Sequence, residues 1–320
     1  MKHKTDWFKE SKWGIFTHYL NYMQNSNSEN GMLHSQGKGE TSWDECVNDF
    51  DTEKYAGIIN ELGAGYVVFT ITQGYRYMCA PNETFNKITG YKTGEGCSTR
   101  DLIADLIGSL DKYNIPMMLY FTGDGPYIDD KGGRAFGFFN RNENNVNDEF
   151  VLKWASVARE YSMRYKDKIK GWWIDGCYKD FYGYDEGKLK MLGDAVRAGN
   201  PNTIVTFNNG VDFKGRYSQY EDYAAGEVTD FKDVYPGGRF CDGSQWHVLS
   251  FLGIPSQFNS WGNPAWGYPG SKYSGEFIAG YVKRVNESGG VVSIDVCTFR
   301  DGTIDKGQAE VLKALKTNRL

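Results

Sequence analysis

The sequence predicts an α/β fold, a (β/α)8 barrel of the TIM type, on three observations. Short apolar runs alternate with longer amphipathic segments, about eight such runs fit within 320 residues, and polar, glycine-rich stretches follow the runs. Strand and helix in alternation imply a parallel sheet joined by right-handed crossovers. Eight strands in a chain of this length favour a closed barrel over an open sheet. A chain this long buries about three-quarters of its unfolded surface, so no metal or disulfide is needed to hold it together.

In order, the apolar runs are Trp13–Thr17, Tyr66–Ile71, Met117–Thr122, Trp172–Ile174, Ile204–Phe207, Tyr223–Ala225, Ser256–Trp261 and Val291–Val296. Between them, apolar residues recur with helical spacing over Thr52–Leu62, Thr99–Tyr113, Asn147–Tyr165, Asp185–Ala198, Ser274–Glu287 and Asp305–Thr317. Asp51 or Thr52 can cap the first of these helices and Ser98 or Thr99 the second. The alternation is thinnest between the sixth and seventh runs, where Trp246–Leu252 is the only helical segment on offer. The stretches Asn25–Gly39, Gly123–Asn147, Tyr178–Tyr184 and Gly262–Tyr273 follow predicted strands. In a barrel these are the loops that build the active-site face. Without an internal repeat or a low-complexity linker, residues 1–320 are expected to form one catalytic domain with no β-sandwich appended.

Composition narrows the function. Thirty-six basic against 41 acidic side chains leave a net charge of −5, which is unfavourable for nucleic acid or an anionic membrane as partner. No apolar run approaches a membrane span. The opening Met-Lys-His-Lys-Thr-Asp-Trp-Phe lacks the apolar stretch of a secretory leader; the compartment stays open between the cytoplasm and, for a processed chain, the periplasm or exterior. The six cysteines (46, 79, 97, 177, 241 and 297) form no CxxC pair, and the four histidines (3, 18, 34 and 247) form no HExxH. No metal site, nucleotide loop or cofactor is therefore expected, while bridged and reduced cysteines fit equally well. Aromatic residues make up 16% of the chain, with 9 Trp, 22 Tyr and 19 Phe. Part of this surplus must lie outside the core, because Trp and Tyr carry polar groups that need partners or water. Flat aromatic faces outside a core suit an oligosaccharide or polysaccharide substrate; a large core with thick loops is the plainer explanation. Oligomeric state is not legible.

Chemistry in such barrels sits at the C-terminal ends of the strands, where this chain places His18, Gln73, Asp124, Asp175, Asn208, Glu227 and Asp295. Asp175 ends the apolar strand Gly171-Trp-Trp-Ile-Asp175 and precedes Gly176. A carboxylate buried there is costly unless it is hydrogen-bonded or used, although Asp-Gly is also an ordinary turn pair. Glu227 closes Asp222-Tyr-Ala-Ala-Gly-Glu227, with Glu221 and Asp222 as rival carboxylates. Two carboxylates from separate strands facing one cavity is what glycoside hydrolysis requires. His18 can meet a substrate hydroxyl or simply pack.

Six segments in order resemble glycoside hydrolase family 29, the α-L-fucosidases. Trp13-Gly-Ile-Phe-Thr-His18 resembles the family's FGIFIHWG opening, and Asn48-Asp-Phe-Asp-Thr-Glu-Lys-Tyr-Ala56 with Leu62-Gly-Ala-Gly-Tyr-Val-Val-Phe-Thr70 its next conserved segment. Thr99-Arg-Asp-Leu102 and Leu119-Tyr-Phe-Thr122 resemble its RDlv motif and GlYyS strand. Trp172-Trp-Ile-Asp-Gly176 resembles the WfDg strand that carries the nucleophile, and Ser288-Gly-Gly-Val-Val-Ser-Ile-Asp-Val296 with Asp301-Gly302 the end of the barrel. The resemblance implies that Asp175 is the nucleophile, Trp173 the aromatic beside it, His18 a sugar-binding histidine and Glu227 the acid/base. The chain also departs from the family. The tKHHDGF motif reads Thr70-Ile-Thr-Gln73-Gly74-Tyr75, and the N-D-R after strand five reads Asn208-Asn209-Gly210. Two histidines and an arginine that grip fucose are thus replaced, at roughly 1–3 kcal/mol per lost partner.

The expectation is a retaining glycosidase that removes a terminal sugar, with a specificity other than fucose open to it. Trp43, Tyr75, Tyr120, Trp173 and Trp261 are candidates for lining the sugar subsite. Asp295 stands where the family has a small residue; it meets either a substrate hydroxyl or a partner in the core. The alternatives are a non-catalytic carbohydrate-binding barrel and an enzyme that cleaves within a polysaccharide.

Overall fold

The computed structural model describes residues 2–140, 146–212, 215–232, 237–254 and 265–317. Its strands are β1 (Trp13–Thr17), β2 (Val67–Thr70), β3 (Met117–Thr122), β4 (Ile169–Asp175), β5 (Ile204–Phe207), β6 (Phe240–Cys241), β7 (Ser244–Gln245), β8 (His247–Phe251) and β9 (Val291–Val296). Seven of them form one parallel sheet in the order β5-β4-β3-β2-β1-β9-β8. Residues 222–228 lie between its two edges. Asp222 N–H donates to Val205 on one side, while Ala224 N–H donates to Gln245 and Val228 N–H to Leu249 on the other. This stretch, bridged singly at Tyr223 and Glu227 with Gly226 at φ +62 between them, occupies the sixth position of the TIM-type barrel predicted from the sequence.

The helical patterns reappear as helices Thr52–Leu62, Leu102–Asp111, Asp148–Tyr165, Glu186–Arg197, Gly275–Glu287 and Lys306–Thr317. Asp51 caps the first, its side chain accepting from Lys54 N–H. The second is capped by Asp101 rather than Ser98 or Thr99. Thr99 is held instead by Asp44, and the Ser98 hydroxyl donates to the Arg100 carbonyl.

One sequence reading is corrected. Trp246–Leu252, expected as a helix, contains β8, and β8 pairs in parallel with β9 over His247–Phe251. All five strand residues are buried. A short run buried on both faces lacks the polar stripe that separates helix from strand, so its periodicity does not identify it. The predicted strand Ser256–Trp261 lies outside the described residues.

Side-chain alternation along the strands divides the core in two. Ile15, Val67, Phe69, Leu119, Phe121, Trp172, Ile174, Val205 and Val292 pack outward beneath the helices. Phe16, Val68, Met118, Tyr120, Trp173, Ile204, Tyr223, Leu249 and Val291 fill the barrel. The helix Asp6–Ser11 closes its N-terminal end with Phe8, fully buried, whose ring lies 5.0 Å from those of Tyr66 and Tyr223. All six cysteines are buried and unbridged. No described helix is long and apolar enough to cross a membrane.

Candidate active site

The inward parity that fills the barrel with Phe16, Trp173, Ile204 and Tyr223 continues, two residues at a time, to the open rim. It carries His18 beyond β1, Asp175 at the end of β4, Asn208 beyond β5, Glu227 at the end of the sixth stretch and Asp295 within β9. Gly176 turns the chain away from Asp175 with φ +66, and a Cβ there would come within 2.8 Å of the Asp124 carboxyl carbon. Buried Asp124 thus sits under the turn and accepts from the Thr122 hydroxyl. The Asp175 carbonyl takes the Gly123 N–H at 2.6 Å.

Asp175 accepts the Tyr120 hydroxyl at 2.6 Å on Oδ2 and Asn208 Nδ2 at 2.9 Å on Oδ1. Asn208 Nδ2 also donates to Glu227 Oε2 at 2.5 Å. An amide nitrogen carries two hydrogens, so the two carboxyl groups share a single anchor. Standing 2.9 and 2.5 Å from one nitrogen, their oxygens are at most about 5.4 Å apart. The Asn208 side chain is fixed in turn, since its Oδ1 accepts the Gly210 N–H.

The two carboxyl groups differ electrostatically. Burial, and then the negative charge of Asp175, push Glu227 up to about 8 against the opposing pull of its Asn208 hydrogen bond. Glu227 therefore keeps a proton at neutral pH, while Asp175 accepts from Tyr120, Asn208 and, at 3.5 Å, Gln73 Nε2. The rival carboxylates lie elsewhere. Asp222 is taken up by Arg197, Lys4 and the Val205 N–H. Glu221 is buried against the Tyr217 N–H and the Ser244 hydroxyl, and burial raises it to about 8. Neither shares a partner with Asp175.

Gln73 donates from Nε2 to the Tyr120 hydroxyl at 2.7 Å and accepts the Tyr22 hydroxyl on Oε1 at 3.2 Å. Tyr22, Gln73, Tyr120 and Asp175 thus form one hydrogen-bonded row from the rim inward. Tyr120 and Trp173 are both buried and stacked, with ring centroids 5.5 Å apart, and the Trp173 indole N–H donates to the Ala225 carbonyl. Tyr75 is half-buried at the rim, 6.3 Å from the Tyr22 ring. His18 Nδ1 lies 2.6 Å from Asp295 Oδ1, and Asp295 Oδ2 accepts the Gly267 N–H at 2.5 Å. Trp43 sits apart from this group, packed beneath the helices with its indole N–H on the Met78 carbonyl. Trp261 lies outside the described residues.

Three members of the site went unnoticed in the sequence: Tyr22, Trp266 and Gly267. Tyr22 follows His18 by four residues. Trp266 packs with its ring 5.8 Å from His18 and 4.8 Å from Phe251. Trp266 and Gly267 lie within the predicted active-site loop Gly262–Tyr273, while Tyr22 offers only its aromatic character as a signal.

Comparison with known proteins adds the family. The family model described as alpha-L-fucosidase matches residues 1–317. Among solved structures, the chain is similar to an α-L-fucosidase of family GH29 from Bacteroides thetaiotaomicron, trapped as a covalent intermediate, at 16% identity and TM-score 0.65, covering 98% of this chain and 74% of that one. It is similar to an endo-fucoidan hydrolase of glycoside hydrolase family 107 at 13% identity and TM-score 0.69, covering 98% of this chain and 53% of that one. α-L-Fucosidase AlfC, solved with Fuca(1,6)GlcNAc, aligns at 16% identity and TM-score 0.63 over 99% of both chains. No curated protein matches. At these identities the structures speak for the fold.

Proposed function

Since this chain belongs to the α-L-fucosidase family, and is a glycoside hydrolase by that membership, we propose that it cleaves a terminal sugar with retention of configuration, using Asp175 and Glu227. One observation carries the reading: Asn208 ties the two carboxyl groups to one nitrogen, and their oxygens lie within about 5.4 Å. Retaining enzymes separate their carboxyl groups by about 5–5.5 Å, whereas inverting enzymes leave roughly 6.5–9.5 Å for a water.

In the first step an Asp175 oxygen attacks the anomeric carbon as the glycosidic bond breaks. Glu227 gives its proton to the departing oxygen, leaving a glycosyl ester on Asp175. In the second step Glu227, now charged, takes a proton from water, whose oxygen attacks the anomeric carbon and frees Asp175. A carboxyl protonated at neutral pH beside a carboxylate suits this exchange of roles. No cofactor enters either step.

Specificity departs from fucose in this reading. Gln73, near the place of the family's first histidine, has both ends of its amide engaged by tyrosines, and Gly210 brings no side chain where the arginine would stand. A second reading, cleavage within a chain, is favoured by the likeness to endo-fucoidan hydrolases and by exposed Tyr22 on the rim. The products distinguish them: single sugars for exo action, a ladder of oligosaccharides for endo action.

The test is hydrolysis of a panel of aryl glycosides, α-L-fucoside included, by wild type and Asp175→Asn. Wild type is expected to turn over at least one member, and the variant to lose about four or more orders of magnitude. Undiminished turnover in the variant would remove Asp175 from the nucleophile position.

A further inference from the structure

Asp295 stands on the inward face of β9, two residues beyond Ser293, and is fully enclosed. At 1% exposure it is closed off from a substrate, and each carboxylate oxygen has a protein partner, His18 Nδ1 on Oδ1 and the Gly267 N–H on Oδ2. With Asp295 as the carboxylate, the hydrogen of the short His18 contact resides on Nδ1. The second ring nitrogen, Nε2, has no hydrogen-bond partner among the described residues, yet it is not among the sealed, unpaired polar atoms. The His18 side chain as a whole keeps 8% of its surface exposed. The His18 ring lies 5.7 Å from that of Tyr120, whose hydroxyl holds Asp175, and 5.8 Å from that of Trp266.

The second tie restrains the loop that bears Trp266. Gly267 adopts φ +68, and a Cβ there would come within 2.4 Å of Met23 Cε and 3.6 Å of His18 Cβ. Its backbone is thus pressed against the segment after β1, with the Asp295 carboxylate at its N–H. One buried side chain joins β9 to the end of β1 and to the loop after β8.

We infer that Asp295 is a positioning residue for sugar recognition: by holding His18 Nδ1 and the Gly267 N–H together, it presents His18 Nε2 and the Trp266 ring as one wall of the subsite. The wall offers a polar nitrogen beside an apolar ring, which fits a neutral sugar with a hydroxyl next to an apolar face. It gives this chain a sugar-gripping element distinct from the Gln73 and Gly210 positions. An asparagine in place of Asp295 has one acceptor oxygen, so it keeps both contacts only if His18 moves its hydrogen from Nδ1 to Nε2, which turns Nε2 from acceptor into donor.

The inference rests on the glycosidase reading and is tested separately from it. On the panel sugar that wild type hydrolyses, His18→Ala, Asp295→Asn and the double variant are compared in kcat and KM, with melting temperature measured alongside. Asp295→Asn is expected to lower kcat/KM by about tenfold to a hundredfold, mainly through KM. The double variant should lose less than the product of the two single losses, because Asp295 acts in part through His18. Losses that multiply in the double variant would overturn the inference while leaving the glycosidase reading intact; a wild type inactive across the panel would count against that reading instead. Should Asp295→Asn not fold, ¹⁵N spectra of the wild-type histidines at alkaline pH decide: hydrogen on Nδ1 of His18 is expected, and hydrogen on Nε2 with bare Nδ1 would overturn it.

Discussion

Asn208 is the residue on which the two carboxyl groups depend. Each of its amide hydrogens goes to one of them, so it fixes their separation and opposes the rise of Glu227 caused by burial and by Asp175. The sign of its effect on catalysis follows. Glu227 must be protonated to act as acid, so activity should fall as pH rises through about 8. Asn208→Ala removes the one contact that lowers Glu227, and the alkaline limb of kcat/KM should move to higher pH. A limb that stays in place, or moves down, in the pH profile would contradict this account of the pair. Asp175, Asn208 and Glu227 were each legible in the sequence as polar residues ending apolar runs. Their convergence was not, because Asp175 and Glu227 lie on different strands and only the folded barrel gives them a common nitrogen. The place of Asp295 was legible too, but the sequence left open whether it met substrate or a partner in the core.

Among the elements, those with a clear period were read well. Met117–Thr122, Ile204–Phe207 and Val291–Val296 are strands with the predicted bounds, and Thr52–Leu62 is a helix with the predicted bounds. An amphipathic helix marks itself by its polar face, and a strand followed by a turn by its breaker residues. β8 lacks the polar face, since its five residues are all buried, and the breakers Gly253 and Pro255 after it suit the end of a helix as well as of a strand. Trp266 and Gly267 lie in a loop, where function comes without periodicity, and Tyr22 in the helix Asn21–Gln24, too short to show a period. The helix Asp6–Ser11 supplies a prediction of its own. Phe8 is enclosed by Tyr66, Tyr223 and His247 at the end of the barrel away from Asp175. Phe8→Ala should destabilise the fold by about 3–5 kcal/mol in urea unfolding, with kcat/KM of the folded enzyme unchanged. A loss below about 1 kcal/mol would mean that the end of the barrel is sealed by other contacts.

For the whole molecule, one rule links fold to chemistry. A closed parallel sheet sends alternate side chains inward, and the same parity that packs Phe16, Trp173, Ile204 and Tyr223 inside the barrel brings His18, Asp175, Asn208 and Glu227 to its rim. Motifs scattered from residue 13 to residue 302 are thereby gathered onto the strands and adjoining helices of one sheet. The family's barrel persists, and the proposal sets a change of sugar specificity on it through the Gln73 and Gly210 positions. The claim at the centre of that account is retention by Asp175 and Glu227. Its most direct test is ¹H NMR of the first sugar released from the best panel glycoside, read before mutarotation: the account predicts the anomeric configuration of the substrate, and a product of opposite configuration would contradict it.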